Sequence, residues 1–248
     1  MKPVILITGG SRGIGAATAL LAAHQGFAVG INYSVNAKAA NALVDQIKAG
    51  GGQAIAIQGD VADEAQVIDM FKVLDQQLGT LSALINNAGV VDVASRVDSM
   101  SVQRLRRMFD INLLGSFLCA REAVRRMSTL HGGKGGSIVN VSSVASRLGG
   151  TGQYVDYAAS KGAIDTMTVG LAKEVALEGI RVNAVRPGII DTEIHASGGQ
   201  PNRVQEMTPL LPMKRPGTAE EVAQAIMWLV SPSASYTTGS FVDVTGGR

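Results

Sequence analysis

The stretch from Val4 to Ala23, VILITGGSRGIGAATALLAA, decides the fold. Val4 to Ile7 is a β-branched apolar run of strand length, and Ala16 to Ala23 is built from strong helix formers with little polarity. Between them Gly9, Gly13 and Gly15 are spaced GxxxGxG. In a strand–turn–helix unit such glycines let the chain turn tightly, bring backbone close to a pyrophosphate, and aim helix N–H groups at it. A plain turn needs neither the buried strand nor the apolar helix, so the context favours nucleotide binding.

The same unit recurs along the chain. Phe27 to Ile31 predicts a second strand, and Ala37 to Ala49 a helix closed by Gly50 to Gly52. Strands follow at Ala54 to Ile57 and Leu81 to Ile85, with a helix from about Asp63 to Gln77 between them. Alternating strands and helices predict an α/β fold with a parallel sheet, whose ligand gathers where strands end in short loops. The second strand ends in Asn32, Tyr33 and Ser34, and the first acidic residue of the chain is Asp45. No carboxylate is thus placed to hold a ribose 2′-hydroxyl, whereas Arg12 in the glycine turn can pair with a 2′-phosphate, which predicts NADP(H) over NAD(H). Asp60, followed by Val61, either accepts from the adenine amino group or caps the next helix. Asn86, Asn87, Ala88 and Gly89 are small enough for a flat cofactor to lie against them.

Ser101 to Met127 predicts a long helix broken near Asn112 or Gly115, with Asn112 on an apolar face of Ile111, Leu113, Leu114 and Phe117. A buried Asn requires partners; it either bends the helix or holds a water. Farther on, Val139 to Ala163 joins an apolar strand to a helix through Gly149, Gly150 and Gly152. Tyr157 and Lys161 lie four apart, on one helix face. A cation about 5 Å from a phenol, at an effective dielectric of about 20, favours phenolate by roughly 3 kcal/mol, which predicts a Tyr157 that exchanges protons near neutrality. The Ser143 hydroxyl could face the start of that helix, so that a carbonyl between Ser143 and Tyr157 would be polarised.

Arg181 to Val185 predicts a sixth strand ending at Pro187 and Gly188, and Phe241 to Val244 the last. Between Ile189 and Pro216 periodicity is lost, which predicts a mobile lid over the substrate, with Met207, Leu210, Leu211 and Met213 as apolar contacts. Thr218 and Glu221 form a capping box for a helix to about Leu229.

The 248 residues, 46% hydrophobic and 17% charged, fit one domain, and a net charge of +2 gives no address for nucleic acid or anionic membrane. Arg104, Arg106, Arg107, Arg121, Arg125 and Arg126 predict a solvated or subunit-contact helix face. The single Cys119 reads as a buried hydrophobe, and the lack of a signal peptide or membrane-length apolar run predicts a cytoplasmic protein. His24, His131 and His195 share no metal-ligand spacing.

TGGSRGIG at 8–15, NNAG at 86–89, Asn112, Ser143, YAASK at 157–161 and PG at 187–188 together resemble the short-chain dehydrogenases/reductases over essentially the whole chain. The resemblance implies a single-domain Rossmann fold, a seven-stranded parallel sheet with helices on both faces, and a homotetramer. It implies hydride transfer between nicotinamide and a ketone or secondary alcohol. Tyr157 would be the acid/base, Ser143 the second hydrogen bond to the substrate oxygen, Lys161 the ribose ligand, and Asn112 the holder of a relay water. Cofactor contacts would come from Gly9, Ser11, Arg12, Gly13, Ile14, Gly15, Asn32, Tyr33, Ser34, Asp60, Val61, Asn87, Ala88, Gly89, Pro187, Gly188, Ile190 and Thr192, besides Tyr157 and Lys161. The pattern is similar to 3-oxoacyl-carrier-protein reductases and glucose 1-dehydrogenases. Ser143 lies fourteen residues before Tyr157, one more than expected of the carrier-protein reductases, and STLHGGKGGS (128–137) holds a single Lys. Both departures weaken an acyl-carrier substrate, although Arg121, Arg125 and Arg126 could compensate. A non-catalytic dinucleotide-binding redox sensor is the alternative, but it would not need the proton-transfer residues.

Overall fold

In the computed structural model, which describes residues 2–248, β1 (Val4–Ile7) is buried along its whole length, as a parallel strand covered on both faces must be. It leads through the glycine turn into α1 (Gly13–His24), and β2 (Ala28–Tyr33), α2 (Ala37–Ala49), β3 (Gln53–Gln58), α3 (Glu64–Gln77) and β4 (Leu81–Asn86) repeat the unit. The chain continues through α4 (Val102–Phe109), α5 (Gly115–Met127), β5 (Gly136–Val141), α6 (Ala145–Leu148), α7 (Val155–Glu174) and β6 (Ile180–Pro187). It ends with α8 (Ile194–Ser197), α9 (Arg203–Met207), α10 (Ala219–Val230) and β7 (Phe241–Val244). All seven strands pair in parallel, in the order β3-β2-β1-β4-β5-β6-β7. The order reverses at β1, which lies between β2 and β4, so a crevice opens above β1 where the two halves diverge.

Alternation along the strands divides the core in two. Val4, Leu6 and Leu84 pack with Phe71, Leu74, Leu118 and Met167 on the side of α3, α5 and α7. Ile5, Ile7 and Ile85 pack with Ala19, Leu43, Val222 and Ile226 on the side of α1, α2 and α10. The expected α/β architecture, with helices on both faces, is therefore present.

Local details differ from the expectations in instructive ways. β2 extends past Ile31 to include Asn32 and Tyr33. The cap of α3 is Asp63, whose carboxylate accepts from the Gln66 N–H, not Asp60. The predicted break at Asn112 is a π turn over Asp110–Leu114; it turns Asn112 fully inward while Leu114 and Phe117 are 45% and 50% exposed. The capping box of α10 forms as read.

The 189–216 segment is not irregular. It folds into α8, α9 and a 3-10 turn at Thr208–Leu210, and its ends are tied where Gly217 N–H donates to the Ile189 carbonyl and Asp191 N–H to the Gly217 carbonyl. Of its expected apolar contacts, Met207 lines the cavity described below. Leu211 is buried, and Leu210 and Met213 face out.

Candidate active site

A groove of about 570 Å³ runs from the β1–α1 turn to the end of β2. Its floor is backbone: Gly9 and Gly13 have φ of +58° and +52°, a region side chains rarely adopt. Arg12 caps α1 in extended conformation, without a side-chain cap and with no acid in the first helical turn. The first amides of α1 therefore stay open to an anion.

Gly15 is a packing glycine instead, since a Cβ there would lie 2.7 Å from both Asn87 Nδ2 and the Gly9 carbonyl oxygen. Asn87 Nδ2 donates to the carbonyls of Thr8 and Gly9, and the Thr8 hydroxyl accepts from the Asn87 and Ala88 amides, so the loops after β1 and β4 are stitched together. Gly15→Ala is expected to lower stability by about 1–3 kcal/mol through overpacking and to weaken dinucleotide binding. Urea unfolding and fluorescence titration check this; unchanged values in both would refute the stitching role.

At the far end of the groove Asn32 is buried. Its Oδ1 accepts from the Gly9 amide and its Nδ2 donates to the Gly59 carbonyl, so the side chain expected to meet the cofactor also holds loops. Tyr33, Ser34, Asp60, Val61, Ala88 and Arg12 line the groove. Asp60 accepts from the Ala62 amide through one oxygen. The exposed Arg12 guanidinium stands 3.6 Å from Glu193, a loose pair at the groove mouth.

The groove continues, through Ile14, Asn87, Gly89 and Thr192, into a cavity of about 490 Å³. Ser143, Tyr157, Lys161, Pro187, Gly188 and Ile190 line it. Ser143 follows β5, and the Ser143 hydroxyl accepts from the Ala145 amide. The glycine turn then reverses the chain, with Tyr154 N–H bonded to the Gly150 carbonyl, and sets Tyr157 in the first turn of α7 opposite Ser143.

Lys161 is buried and donates to the Val141 carbonyl at 2.7 Å, with its ammonium 5.7 Å from the Tyr157 ring centre. Burial pushes the Tyr157 phenol above its ordinary value, and the neighbouring Ser143 hydroxyl pulls part of the way back. Burial pushes the Lys161 ammonium down to about 8, against a smaller upward pull from Asp165. The sequence predicts a lowered phenol; the protein reverses the sign because desolvation outweighs an ammonium turned toward a carbonyl.

Asn112 accepts from the Val90 amide, and its Nδ2 faces the Val90 carbonyl and the Ser160 hydroxyl. Its side chain thus clamps the β4 loop to α7. Across from it, a Cβ on Gly89 would come within 3.4 Å of Asn112 Oδ1 and 3.5 Å of Lys161 Nζ, so the glycine keeps this approach open. These features fit a nicotinamide dinucleotide: an uncapped helix start, a backbone floor and a lysine beside a glycine-lined strip.

The arginine-rich helices form the expected solvated face only in part: Arg106, Arg107 and Arg125 are exposed, and the others are tied to carboxylates. Arg104 is 10% exposed and bonds both oxygens of Asp156, itself 0% exposed, at 2.7 and 3.2 Å. Arg107 pairs with Asp92, Arg121 with Glu64, Arg125 with Glu122, and Arg126 with Glu122 and Asp75. Burial pushes the Glu122 carboxyl up, but Arg126, Arg125 and Arg121 together hold it below the usual range. Burial likewise pushes the Cys119 thiol up to about 12, with Glu122 adding to it.

The cavity also holds residues that the motifs do not announce: Gln153, Tyr154, His195, Gln200, Arg203 and Arg248. Arg203 and Arg248 are remote in sequence from the segment of Ser143 to Lys161; the start of α9 carries the first into the cavity and the turn after β7 the second. Among the described residues no His, Cys, Asp or Glu side chains group in threes as metal ligands would, and no helix is long and apolar enough to cross a membrane.

A family model described as enoyl-(acyl carrier protein) reductase matches residues 9–248. The uncharacterized oxidoreductase YgfF of Escherichia coli is 56% identical over 245 residues, covering 99% of each chain. A 3-oxoacyl-[acyl-carrier-protein] reductase of Synechocystis is 38% identical over 98% of this chain and 96% of its own. A solved short-chain dehydrogenase/reductase of Serratia marcescens, in a doubly mutated form, superimposes with a TM-score of 0.91 at 32% identity, covering 99% of this chain and 97% of that one. With this sheet order, this groove and these relatives, the chain belongs to the short-chain dehydrogenase/reductase family of oxidoreductases.

Proposed function

We propose that this oxidoreductase prefers NADP(H) and interconverts a small ketone and the corresponding secondary alcohol, with Tyr157 as acid/base. The observation that carries this is the convergence of the Ser143 and Tyr157 hydroxyls on one cavity wall, with the buried Lys161 ammonium behind them. The dinucleotide, when bound, supplies or accepts the hydride. Ser143 and Tyr157 hold the substrate oxygen. In reduction the phenol donates its proton to that oxygen as the carbon gains the hydride, and Lys161 steadies the phenolate left behind. In oxidation the phenolate takes the hydroxyl proton. Asn112 positions this set, because it ties the β4 loop to α7 one residue from Lys161.

The preference for NADP(H) is supported by the absence of a carboxylate from the end of β2 and by Arg12 at the groove wall. Arg12→Ala is expected to weaken NADPH binding about ten- to one-hundredfold, the worth of a charge-assisted contact, and NADH binding far less. Equal losses in fluorescence titrations would overturn the assignment of Arg12 to the 2′-phosphate. A small substrate is favoured over an acyl carrier protein because Arg121, Arg125 and Arg126 are engaged by Glu64, Glu122 and Asp75. Those pairs neutralise the patch that an acidic carrier needs.

A further inference from the structure

We infer that the substrate bears an anionic group, a carboxylate or a phosphate, and that Arg203 and Arg248 receive it in the cavity that holds Tyr157. The inference rests on the proposed function for the position of the carbonyl, and otherwise on the cavity itself. The Arg203 guanidinium stacks 5.1 Å from the ring centre of Tyr154, three residues before Tyr157. Its Nη1 donates to the amide oxygens of Gln153 and Gln200, so it is oriented by neutral partners.

Arg104, Arg126 and Arg186 each sit against a carboxylate. Arg203 and Arg248 have no such partner among the described residues, although Glu206 also lines the cavity. Arg203 lies near enough to act on Arg248, which burial and then Arg203 lower, and it acts likewise on His195, whose imidazole is held toward its neutral form. Cations gathered in one cavity repel unless an anion joins them, and the guanidinium fork suits carboxylate and phosphate alike. The remaining donors of Arg203, and the whole fork of Arg248, supply that contact.

The test compares matched pairs with the preferred dinucleotide: levulinate against its methyl ester, and dihydroxyacetone phosphate against dihydroxyacetone. In at least one pair the charged member is expected to have a kcat/KM about ten- to one-hundredfold higher, and the pair that shows it tells carboxylate from phosphate. Arg203→Gln and Arg248→Gln should each cut that ratio about tenfold, and Arg203→Lys should keep part of it. Arg248→Gln guards against a folding artefact, since that side chain makes no hydrogen bond among the described residues. A neutral partner as good as the charged one in both pairs, or a ratio unchanged when Arg203→Gln and Arg248→Gln are combined, would overturn the inference. Should no carbonyl be turned over, the reaction proposed for Tyr157 fails separately. Calorimetric titration of the dinucleotide-loaded protein with glutarate and with phosphate then decides: binding lost in Arg248→Gln supports the anion site, and no binding of either overturns it.

Discussion

Tyr157→Phe is expected to lower kcat by about 100- to 10,000-fold, the range for loss of a positioned acid or base, while leaving dinucleotide binding nearly intact. The variant removes one hydroxyl from the cavity wall and leaves the glycine turn and Lys161 in place. Steady-state reduction of the best carbonyl substrate, with fluorescence titration of the dinucleotide, measures both quantities. Turnover near that of the wild type would sink the mechanism, and tight binding without turnover in the wild type would revive the redox-sensor alternative. The raised phenol gives a direction for pH as well. Between about pH 6 and 9 the group stays protonated, since an ordinary phenol already titrates near 10. Reduction, which needs the phenol and the Lys161 ammonium that steadies the phenolate, should therefore be flat from about pH 6 to 7 and fall as Lys161 loses its proton at about 8, whereas oxidation, which needs the phenolate, should climb with pH.

Arg104→Ala is expected to destabilise the fold by roughly 3–5 kcal/mol, because it leaves the fully buried Asp156 carboxylate without its cation. For a chain of this size that is about 6–20 °C in melting temperature. Asp156 sits in the first turn of α7, beside Tyr157, so loosening this clamp should also cost activity in the surviving folded fraction. Asp156→Asn keeps a polar partner for the guanidinium and should be milder. Urea unfolding of both variants tests the point, and an Arg104→Ala midpoint indistinguishable from wild type would mean that the pair does not hold α4 to α7.

Where a feature depends on neighbours in sequence, it is legible without a structure. The strands, the glycine turn, the capping box of α10 and the Tyr157–Lys161 spacing follow from local pattern and held. Features that depend on partners far along the chain are not legible in this way. Arg104 looks like one of six surface arginines until α7 brings Asp156 to it across 52 residues. Asp60 reads as a candidate cap on paper, and only the folded turn shows Asp63 accepting from the Gln66 N–H in its place. The sign of the Tyr157 shift depends on where the Lys161 ammonium points, which residue spacing cannot say. Arg203 and Arg248 escaped for the same reason: neither lies in a recognisable motif, and their common cavity is made by folding.

The π turn at Asp110–Leu114 acts on the long helical segment as a phase shifter. Each α-helical residue advances the chain by about 100°, so an i→i+5 turn inserts one extra increment between α4 and α5. Upstream of it, the phase lets Arg104 reach α7; downstream, Leu118 and Ala123 face the sheet. An uninterrupted helix could not satisfy both demands at once. The surplus residue gears two contact surfaces together, so any change in residue count between Ser101 and Met127 would disengage one of them, even where every side chain was kept.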